Sequence, residues 1–412
     1  MDQLRRQKFA LMLVKVGVNL QPDQYLIIQT IPEALELAQE VVKEAFKAKA
    51  KDVIVFIEDP VINHTRALSA TTEELRLVPD WKKEQLEFYL QQGACQLSLM
   101  GSYPSLNQDV ASDKLLALSQ ASNDVRNVIR KYIHQGVLQW CATAVATADW
   151  ANKVFEELEP EKAFNALEDA LCKMVRVDHT TDVVSNWQKH IAVLNERAEK
   201  LNAYNFKSLH ITSELGTDIR MDLVKDHIWT GANDLSIGAH KVSYVANMPT
   251  EEVFTDPDCF STNGIVYASY PLLIAGKIVS EFSITFKDGR AVDCSAKSNV
   301  DLLKDALFKE EGTSRLGEVA LVSKKSPINQ MQRIFYNGLI DENAVSHLAF
   351  GSSFPGCIKN GLNMTKEELL RNGVNSAVSH NDFMIGTDEF HVVGIKANNE
   401  EVIIMQNGDF VI

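Results

Sequence analysis

Three stretches in the C-terminal half of the chain combine carboxylates and imidazoles with apolar residues. They are GEVALV at 317–322, DENAVSHLAFG at 341–351 and SHNDFMIG at 379–386. Carboxylate oxygens and imidazole nitrogens suit divalent first-row metals, whereas thiolate-preferring metals need cysteine ligands. The sequence therefore predicts a metal site in the C-terminal half.

Two of these stretches place acids beside apolar runs. Glu318 follows Gly317 and precedes the apolar run 319–322. A carboxylate next to a buried strand must be paired or must bind a metal, because an unpaired buried charge is costly; a helix cap or a salt bridge would also satisfy it. His380 and Asp382 are two residues apart in an extended segment, so both side chains project from the same face.

The remaining candidates are weaker when each is taken alone. His347 lies among apolar residues, five positions after Glu342, where a histidine is usually a hydrogen-bonded core residue. Glu251 and Glu252 lie between two prolines in NMPTEEVFTDPD, a context typical of a solvated turn. Because three such clusters interrupt apolar runs in one region, the metal site is favoured over separate structural roles.

The bulk composition describes a globular, acidic chain. Its 412 residues are too many for one ordinary core and predict two domains. Apolar residues make up 45% and charged residues 23%, which is typical of globular proteins. A net charge of −14 disfavours nucleic acid as a partner, because phosphate binding needs clustered lysine and arginine.

The cysteines and the N-terminal sequence bear on the cellular compartment of the protein. Six cysteines are widely separated and include no CxxC pair, which disfavours a zinc knuckle or a disulfide scaffold. The N-terminal apolar run is interrupted by Lys15 and predicts an amphipathic helix, not a signal peptide. No run reaches the roughly 18–20 apolar residues that span a bilayer. We therefore expect a cytoplasmic protein with reduced thiols and no membrane partner.

The N-terminal part has the periodicity of an α/β layer. Tyr25–Gln29 and Val53–Ile57 are compact apolar strands on either side of a helix at Pro32–Lys47. This βαβ unit predicts an open, mostly parallel sheet covered by helices. Further elements are predicted in this region: a helix at 71–92, strands at 95–100 and 137–145, and a helix at 112–134. No glycine-rich phosphate-binding string follows these strands, which disfavours a dinucleotide site.

The pattern of apolar residues changes after residue 205. Helices at 159–175 and 181–201 form a bridge, after which short apolar or alternating runs are separated by glycine-containing turns, with one run broken at Gly276. Lys287–Gly289 is a hairpin turn. We therefore predict an α/β domain with a helical bridge at 1–204 and a strand-rich α+β catalytic domain at 205–412.

Four blocks, in order, resemble the signature of the thermophilic metalloprotease (M29) family of metallo-aminopeptidases. They are NMPTEEVFT, GEVALV, DENAVSHLAFG and SHNDFMIG. The resemblance covers essentially the whole chain, including GIVYASYPL at 264–272. It implies an enzyme that releases N-terminal amino acids from peptides through water activated by two divalent ions, zinc, cobalt or manganese.

The resemblance also implies roles for individual residues. The metal ligands carried over by position are Glu252, Glu318, His347, His380 and Asp382. Glu318 would be the carboxylate that bridges the two ions, and Glu342 a further ligand or a neighbour of the ligands. Glu251 flanks a ligand and is the candidate general base.

One departure from the family pattern concerns a position seven residues after His347. Family members typically carry a tyrosine there, whereas this chain has Phe354 in GSSFPG. A tyrosine hydroxyl near the metals could orient the substrate carbonyl, and losing one such donor typically costs on the order of 10²–10³ in turnover. Reduced activity or a shifted substrate range would follow.

Three further expectations accompany this interpretation. A dinuclear hydrolase of another class uses the same ligand types, and Phe354 also allows a weakly active or non-catalytic member of the family. The resemblance implies a homodimer in which the first domain of each subunit helps enclose the partner's site.

Overall fold

The computed structural model describes residues 1–274 and 277–412. The predicted break at Gly276 lies outside these residues. The α-helices are α1 Gln3–Met12, α2 Leu35–Lys47, α3 Pro60–Ser69, α4 Thr72–Arg76, α5 Asp80–Gln91, α6 Ser112–His134, α7 Ala148–Val154, α8 Pro160–Met174, α9 Val183–Tyr204, α10 Val300–Phe308, α11 Gly338–Asp341 and α12 Lys366–Arg371.

The strands are short, most of them two to six residues long. The first nine are β1 Tyr25–Thr30, β2 Asp52–Ile57, β3 Cys95–Met100, β4 Trp140–Ala144, β5 Ser208–Thr212, β6 Asp218–Asp222, β7 Asp234–Leu235, β8 Ser243–Tyr244 and β9 Asn247–Met248. The others are β10 Glu252–Thr255, β11 Asn263–Tyr267, β12 Leu272–Ile274, β13 Lys277–Val279, β14 Ser283–Lys287, β15 Arg290–Ser295, β16 Leu316–Val322, β17 His347–Gly351, β18 His380–Met384, β19 His391–Ile395, β20 Glu401–Gln406 and β21 Asp409–Phe410.

The chain folds into two compact units. The first comprises Met1–Lys189 and Asn233–Pro249, and the second comprises His190–Ala232 and Thr250–Ile412. Within the described residues, no helix combines the length and apolarity needed to cross a membrane.

The first unit is built on a five-stranded sheet in the order β2-β1-β3-β4-β9, with every pair parallel. Its helices bury one side, as in α2, where Leu37, Val41 and Ala45 follow a helical spacing and are buried. This is the predicted α/β layer. The region predicted as one helix at 71–92 is two helices, α4 and α5, because Pro79 precedes α5 and cannot continue a helix from α4.

The second unit is strand-rich, as predicted for the C-terminal half. An eight-stranded antiparallel sheet runs in the order β15-β14-β11-β6-β5-β19-β20-β21. A separate four-stranded antiparallel sheet has the order β10-β16-β17-β18. The unit's hydrophobic core includes side chains from both sheets and from α9 and α10.

The compact units differ from the predicted boundary at 204/205 in two places. The C-terminal part of α9 belongs to the second unit because Leu194, Ala198 and Leu201 are buried in its core. Residues 233–249 belong to the first unit because β9 pairs with β4 and extends the parallel sheet. Local sequence patterns do not predict which unit these two segments belong to, because the assignment depends on long-range packing.

Candidate metal centre

The four-stranded sheet has apolar side chains on one face and the predicted metal ligands on the other. Directly opposed residues share a face, and side chains alternate along each strand. The pairings of Glu318 with Ala349 and of Ala349 with Asp382 place both carboxylates on one face. Alternation adds the remaining predicted ligands to that face: Glu252, His347 and His380. The other face contributes these residues to the core: Val253, Val319, Leu321, Leu348, Phe350 and Phe383.

A β-bulge at the start of β16 makes this separation possible. Leu316 opposes Phe350, whereas Glu318 opposes Ala349, so the register shifts by one residue between them. Leu316 consequently faces the core while Glu318 faces the candidate site. Gly317 is required at the bulge, because a Cβ there would lie 2.4 Å from the carbonyl oxygen of Gly351.

Two groups of potential ligand atoms form on this face. Glu252, Glu318 and His347 make the first group, and Glu318, His380 and Asp382 make the second. Within each group, one ligand atom from every residue lies within 4.8 Å of the others. Glu318 is the member shared by both groups, which is the arrangement expected of a bridging carboxylate.

The short contacts within the groups pair imidazoles with carboxylates. His347 Nε2 lies 3.2 Å from a Glu252 oxygen. His380 Nε2 lies 3.0 Å from an oxygen of Glu318 and 3.0 Å from an oxygen of Asp382. The Ser352 carbonyl can only accept a hydrogen bond and lies 2.6 Å from His380 Nδ1, so this nitrogen donates and Nε2 is left to face the carboxylates.

The donor set fits divalent cations. Glu252, Glu318 and His347 are all buried, with exposed fractions of 7%, 4% and 1%. Among the described residues, the buried His347 Nδ1 atom has no hydrogen-bond partner, and the buried Glu252 Oε2 atom makes no hydrogen bond of good geometry despite its 3.2 Å approach to His347 Nε2. Buried carboxylates this close together repel one another unless positive charge lies between them. Oxygen and imidazole donors without thiolates match zinc, cobalt or manganese.

Burial and mutual repulsion shift the protonation of this cluster. Burial, and then the charges of Glu318 and Asp382, raise the pKa of Glu252 well above its usual range. Burial alone would raise the pKa of Asp382, but the His380 imidazole, together with smaller effects of His347 and Glu318, lowers that pKa to about 2. Burial would lower the pKa of His380, but Asp382 and then Glu318 raise it well above its usual range.

Glu342 lies next to this cluster but belongs to neither donor group. Burial raises the pKa of its carboxyl well above the usual range, and the charges of Asp382, Glu252 and Glu318 add to that effect. The Asn343 side-chain amide donates to Glu342 Oε1 at 3.3 Å. The Asn343 Oδ1 atom accepts the backbone N–H of Glu251 at 2.7 Å, so this buried asparagine ties Glu342 to the start of β10.

Glu251 is placed differently from its neighbour Glu252. Glu251 lies immediately before β10, which begins at Glu252. One oxygen of Glu251 lies 3.7 Å from Nε2 of His190 on α9, and Glu251 is in neither donor group. The structure thus brings five of the predicted site residues into two groups, places Glu342 beside them, and leaves Glu251 on the α9 side.

Phe354 lies against the second donor group. Its ring centroid is 4.9 Å from that of the His380 imidazole in an edge-on arrangement. Its backbone N–H donates to Asp256 at 3.1 Å, and Asp256 has no exposed surface. Burial raises the pKa of the Asp256 carboxyl well above its usual range.

The sequence interpretation did not single out Asp256 and Asn343. Asp256 follows Glu252 at a spacing of four in an extended segment, and a strict alternation of faces would have placed both on the same side. Asn343 had no comparable signal, because its role depends on two partners that only the fold brings together. Ala349 was also missed, because its importance lies in its small size.

Comparison with known proteins identifies the family. The model of the Thermophilic metalloprotease (M29) family matches residues 2–410. The chain belongs to this family. The resemblance found in the sequence is thereby confirmed.

Several aminopeptidases align with this chain over nearly its whole length. The chain is 37% identical to aminopeptidase PepS of Streptococcus thermophilus over 98% of both chains. It is 35% identical to aminopeptidase AmpS of Bacillus subtilis (strain 168), over 98% of this chain and 97% of that protein. The structure of wild-type AmpT from Thermus thermophilus superposes with a TM-score of 0.91 at 30% identity, covering 99% of both chains. This likeness confirms the predicted fold class.

Proposed function

We propose that this protein releases N-terminal residues from peptides by using two divalent ions held by the two donor groups. The membership of Glu318 in both groups is the observation that carries the proposal. The family and the named relatives confirm the predicted enzyme class, a metal-dependent aminopeptidase. The number of ions and the ligand assignments are part of our proposal.

Each donor group would hold one of the two ions. Glu252 and His347 would hold one ion, His380 and Asp382 the other, and Glu318 would contact both. When bound, such ions lower the pKa of a water molecule and polarise the scissile carbonyl. The hydrogen bond from His380 Nδ1 to the Ser352 carbonyl fixes the orientation of the imidazole, which keeps its Nε2 directed at the site.

We assign the transfer of the proton to Glu342 in place of Glu251. Glu342 interacts electrostatically with four of the predicted ligands and has a raised pKa, as expected of a catalytic acid or base. Its carboxylate would accept a proton from the attacking water and deliver it to the leaving amine. Glu251 contacts His190 on α9 and would instead anchor the start of β10.

The requirement for a free N-terminus follows from charge. The candidate site contains more carboxylates than imidazoles, and a peptide's α-amine would bind an ion or one of these acids. An acylated N-terminus offers neither a positive charge nor a free lone pair. Unblocked peptides are therefore the proposed substrates.

Chelation tests the proposal directly. Prolonged dialysis against a chelator should abolish hydrolysis of leucyl-4-nitroanilide, and Co²⁺, Zn²⁺ or Mn²⁺ should restore it. Metal analysis should find two ions per chain in the restored enzyme, and N-acetyl-leucyl-4-nitroanilide should remain uncleaved. Activity that survives complete metal removal would overturn the proposal.

We also propose that the protein is a homodimer associating through the first unit. Strand β2 is an edge strand of the parallel sheet, and its Val55 and Ile57 are 38% and 54% exposed. Ile62 on α3 is 60% exposed. Apolar residues grouped near an exposed sheet edge are candidates for contact with a second chain.

Light scattering on purified protein tests the dimer. The wild type should have twice the mass of one chain, and Ile62→Glu should shift the mass toward that of a monomer. Val292→Glu is a matched control, since Val292 lies on β15 in the second unit and is 55% exposed. A monomeric wild type would contradict the proposal.

A cytoplasmic location is proposed on the basis of the cysteines. All six lie in the described part of the chain, where their side chains are buried. Buried thiols persist in the reduced form in a reducing compartment.

A further inference from the structure

We propose that Phe354 and Phe254 form an aromatic surface that binds the apolar side chain of the substrate's N-terminal residue and so determines selectivity. This inference rests on the proposed aminopeptidase function. We call the two rings the aromatic shelf. Its proposed occupant is an aliphatic or aromatic side chain, whose Cβ atom is two bonds away from the scissile carbonyl carbon.

The shelf lies directly beside the second donor group. Phe254 is on β10, two residues after Glu252, and therefore projects from the same face of the sheet. The ring centroids of Phe254 and Phe354 are 5.4 Å apart in an edge-on arrangement. Phe354 also packs on the His380 ring at 4.9 Å. A substrate whose carbonyl lies at the donor groups places its first side chain within reach of these rings.

The shelf is held in place by buried contacts. The backbone N–H of Phe354 is fixed by the buried Asp256 carboxylate, and Pro355 begins a 3₁₀ turn immediately afterwards. Phe254 exchanges backbone hydrogen bonds with Thr230 in both directions, at 2.9 and 3.1 Å. A surface that is fixed before binding loses little conformational entropy when it is covered.

Exposure distinguishes this shelf from core packing. Phe354 retains 39% of its surface exposed although it contacts a buried cluster. Single exposed apolar residues are common on proteins and need no explanation. A rigid, half-exposed ring in contact with a proposed metal ligand is a different case, because any substrate at the metals must approach it.

The chemistry of the shelf predicts the preference. A phenyl ring contributes binding in proportion to the apolar area that is covered, and it offers neither charge nor a strong hydrogen bond. Leucine, methionine and phenylalanine at the substrate's N-terminus should therefore be favoured over glycine and aspartate. A pocket that distinguishes apolar side chains by contact area alone typically discriminates by about 10- to 200-fold.

The test compares kcat/KM across aminoacyl-4-nitroanilides with leucine, phenylalanine, alanine, glycine and aspartate. In Phe354→Ala, kcat/KM for the leucyl and phenylalanyl substrates should fall about tenfold or more, whereas the value for the glycyl substrate should change less than about threefold. Phe354→Leu should restore most of the leucyl preference. Phe308→Ala removes a ring of similar exposure, 47%, at the end of α10 and should leave all ratios unchanged.

Three outcomes separate the inference from the proposed function. Equal losses for all substrates, with unchanged metal content, would overturn the shelf and leave the aminopeptidase intact. Selectivity that follows the second residue, measured with Leu-Gly and Gly-Leu dipeptides, would also overturn it. A metal-loaded wild type that cleaves none of the aminoacyl substrates would instead refute the proposed function.

Discussion

Glu318 and Asp382 lie on one row of the four-stranded sheet, separated only by Ala349, which pairs with both. Ala349 has no exposed surface. Its methyl group therefore lies between the side chains of Glu318 and Asp382, the two carboxylates of the second donor group. A small side chain at this position leaves space beside the Glu318 carboxylate, where we propose that an ion binds.

A larger side chain at residue 349 should disrupt the candidate metal site without removing any proposed ligand. Ala349→Leu adds three carbons between Glu318 and Asp382, and overpacking of this kind typically costs 1–3 kcal/mol when the neighbours must shift. We expect lost metal binding and at least about a 100-fold loss of kcat. Ala349→Ser is the matched small variant and should keep most activity. Bound metal measured by mass spectrometry, together with thermal stability, checks this prediction.

Removing the shared carboxylate should differ from removing an unshared one. Glu318→Gln should weaken both ions, because Glu318 belongs to both donor groups, whereas Asp382→Asn should weaken only one. Metal titration by calorimetry should accordingly show two weakened sites in the first variant and one in the second. Glu281→Gln, at an exposed surface ion pair, is the control. Equal metal profiles for the two site variants would contradict a bridging role.

The assignment of the proton-transfer group predicts unequal effects of two neighbouring substitutions. Glu342→Gln should lower kcat by about 10²–10⁴ with a small change in KM, the range for loss of a general acid or base. Glu251→Gln should retain most of kcat, because that carboxylate faces His190 and lies outside the donor groups. The measurements are kcat and bound metal for each variant. The reverse order of effects would restore Glu251 as the base.

A hydroxyl added at residue 354 tests the departure from the family pattern. Phe354→Tyr keeps the ring beside His380 and adds a hydrogen-bond donor. If the donor stabilises developing charge on the substrate carbonyl, kcat should rise, by up to about 10²-fold. Steady-state kinetics on leucyl-4-nitroanilide measures the change. An unchanged kcat would mean that other groups already supply this stabilisation.

The buried carboxyl of Asp341 should make stability depend on pH. Burial raises its pKa from 3.8 to about 7, although the backbone N–H groups of Phe335 and Asn337 donate to it at 2.8 and 3.0 Å. Between these two pH values, the folded state binds more protons than the unfolded state, so stability falls as pH rises. At about 1.4 kcal/mol per pH unit, the loss across this window is about 4 kcal/mol.

Urea unfolding of the metal-free protein from pH 4 to 7.5 checks this sign. The free energy of unfolding contributed by Asp341 should decrease with pH, so the stability of Asp341→Asn relative to wild type should improve as pH rises. A difference that is constant with pH would contradict the raised pKa. A metal-free sample is needed because bound ions would add their own pH dependence.

The sequence by itself indicated the types of candidate donors, the buried strand beside Glu318, the extended segment of His380 and Asp382, and the two fold classes. Donors at a spacing of two, as in His380 and Asp382, share a face of any strand, and the residue between them projects from the other face. These are consequences of local backbone geometry. These features can be predicted from the sequence without knowing which strands are neighbours in the sheet.

Only the tertiary structure decided which donors meet. The row Glu318–Ala349–Asp382 depends on strand pairing between segments more than thirty residues apart, and on a bulge that Gly317 permits. The fold also separates two neighbouring residues of the same type, since Glu252 begins β10 in the four-stranded sheet whereas Glu251, just before it, lies near His190 of α9. Local patterns cannot specify strand register across long loops, because register is set by the packing of the whole sheet and its core.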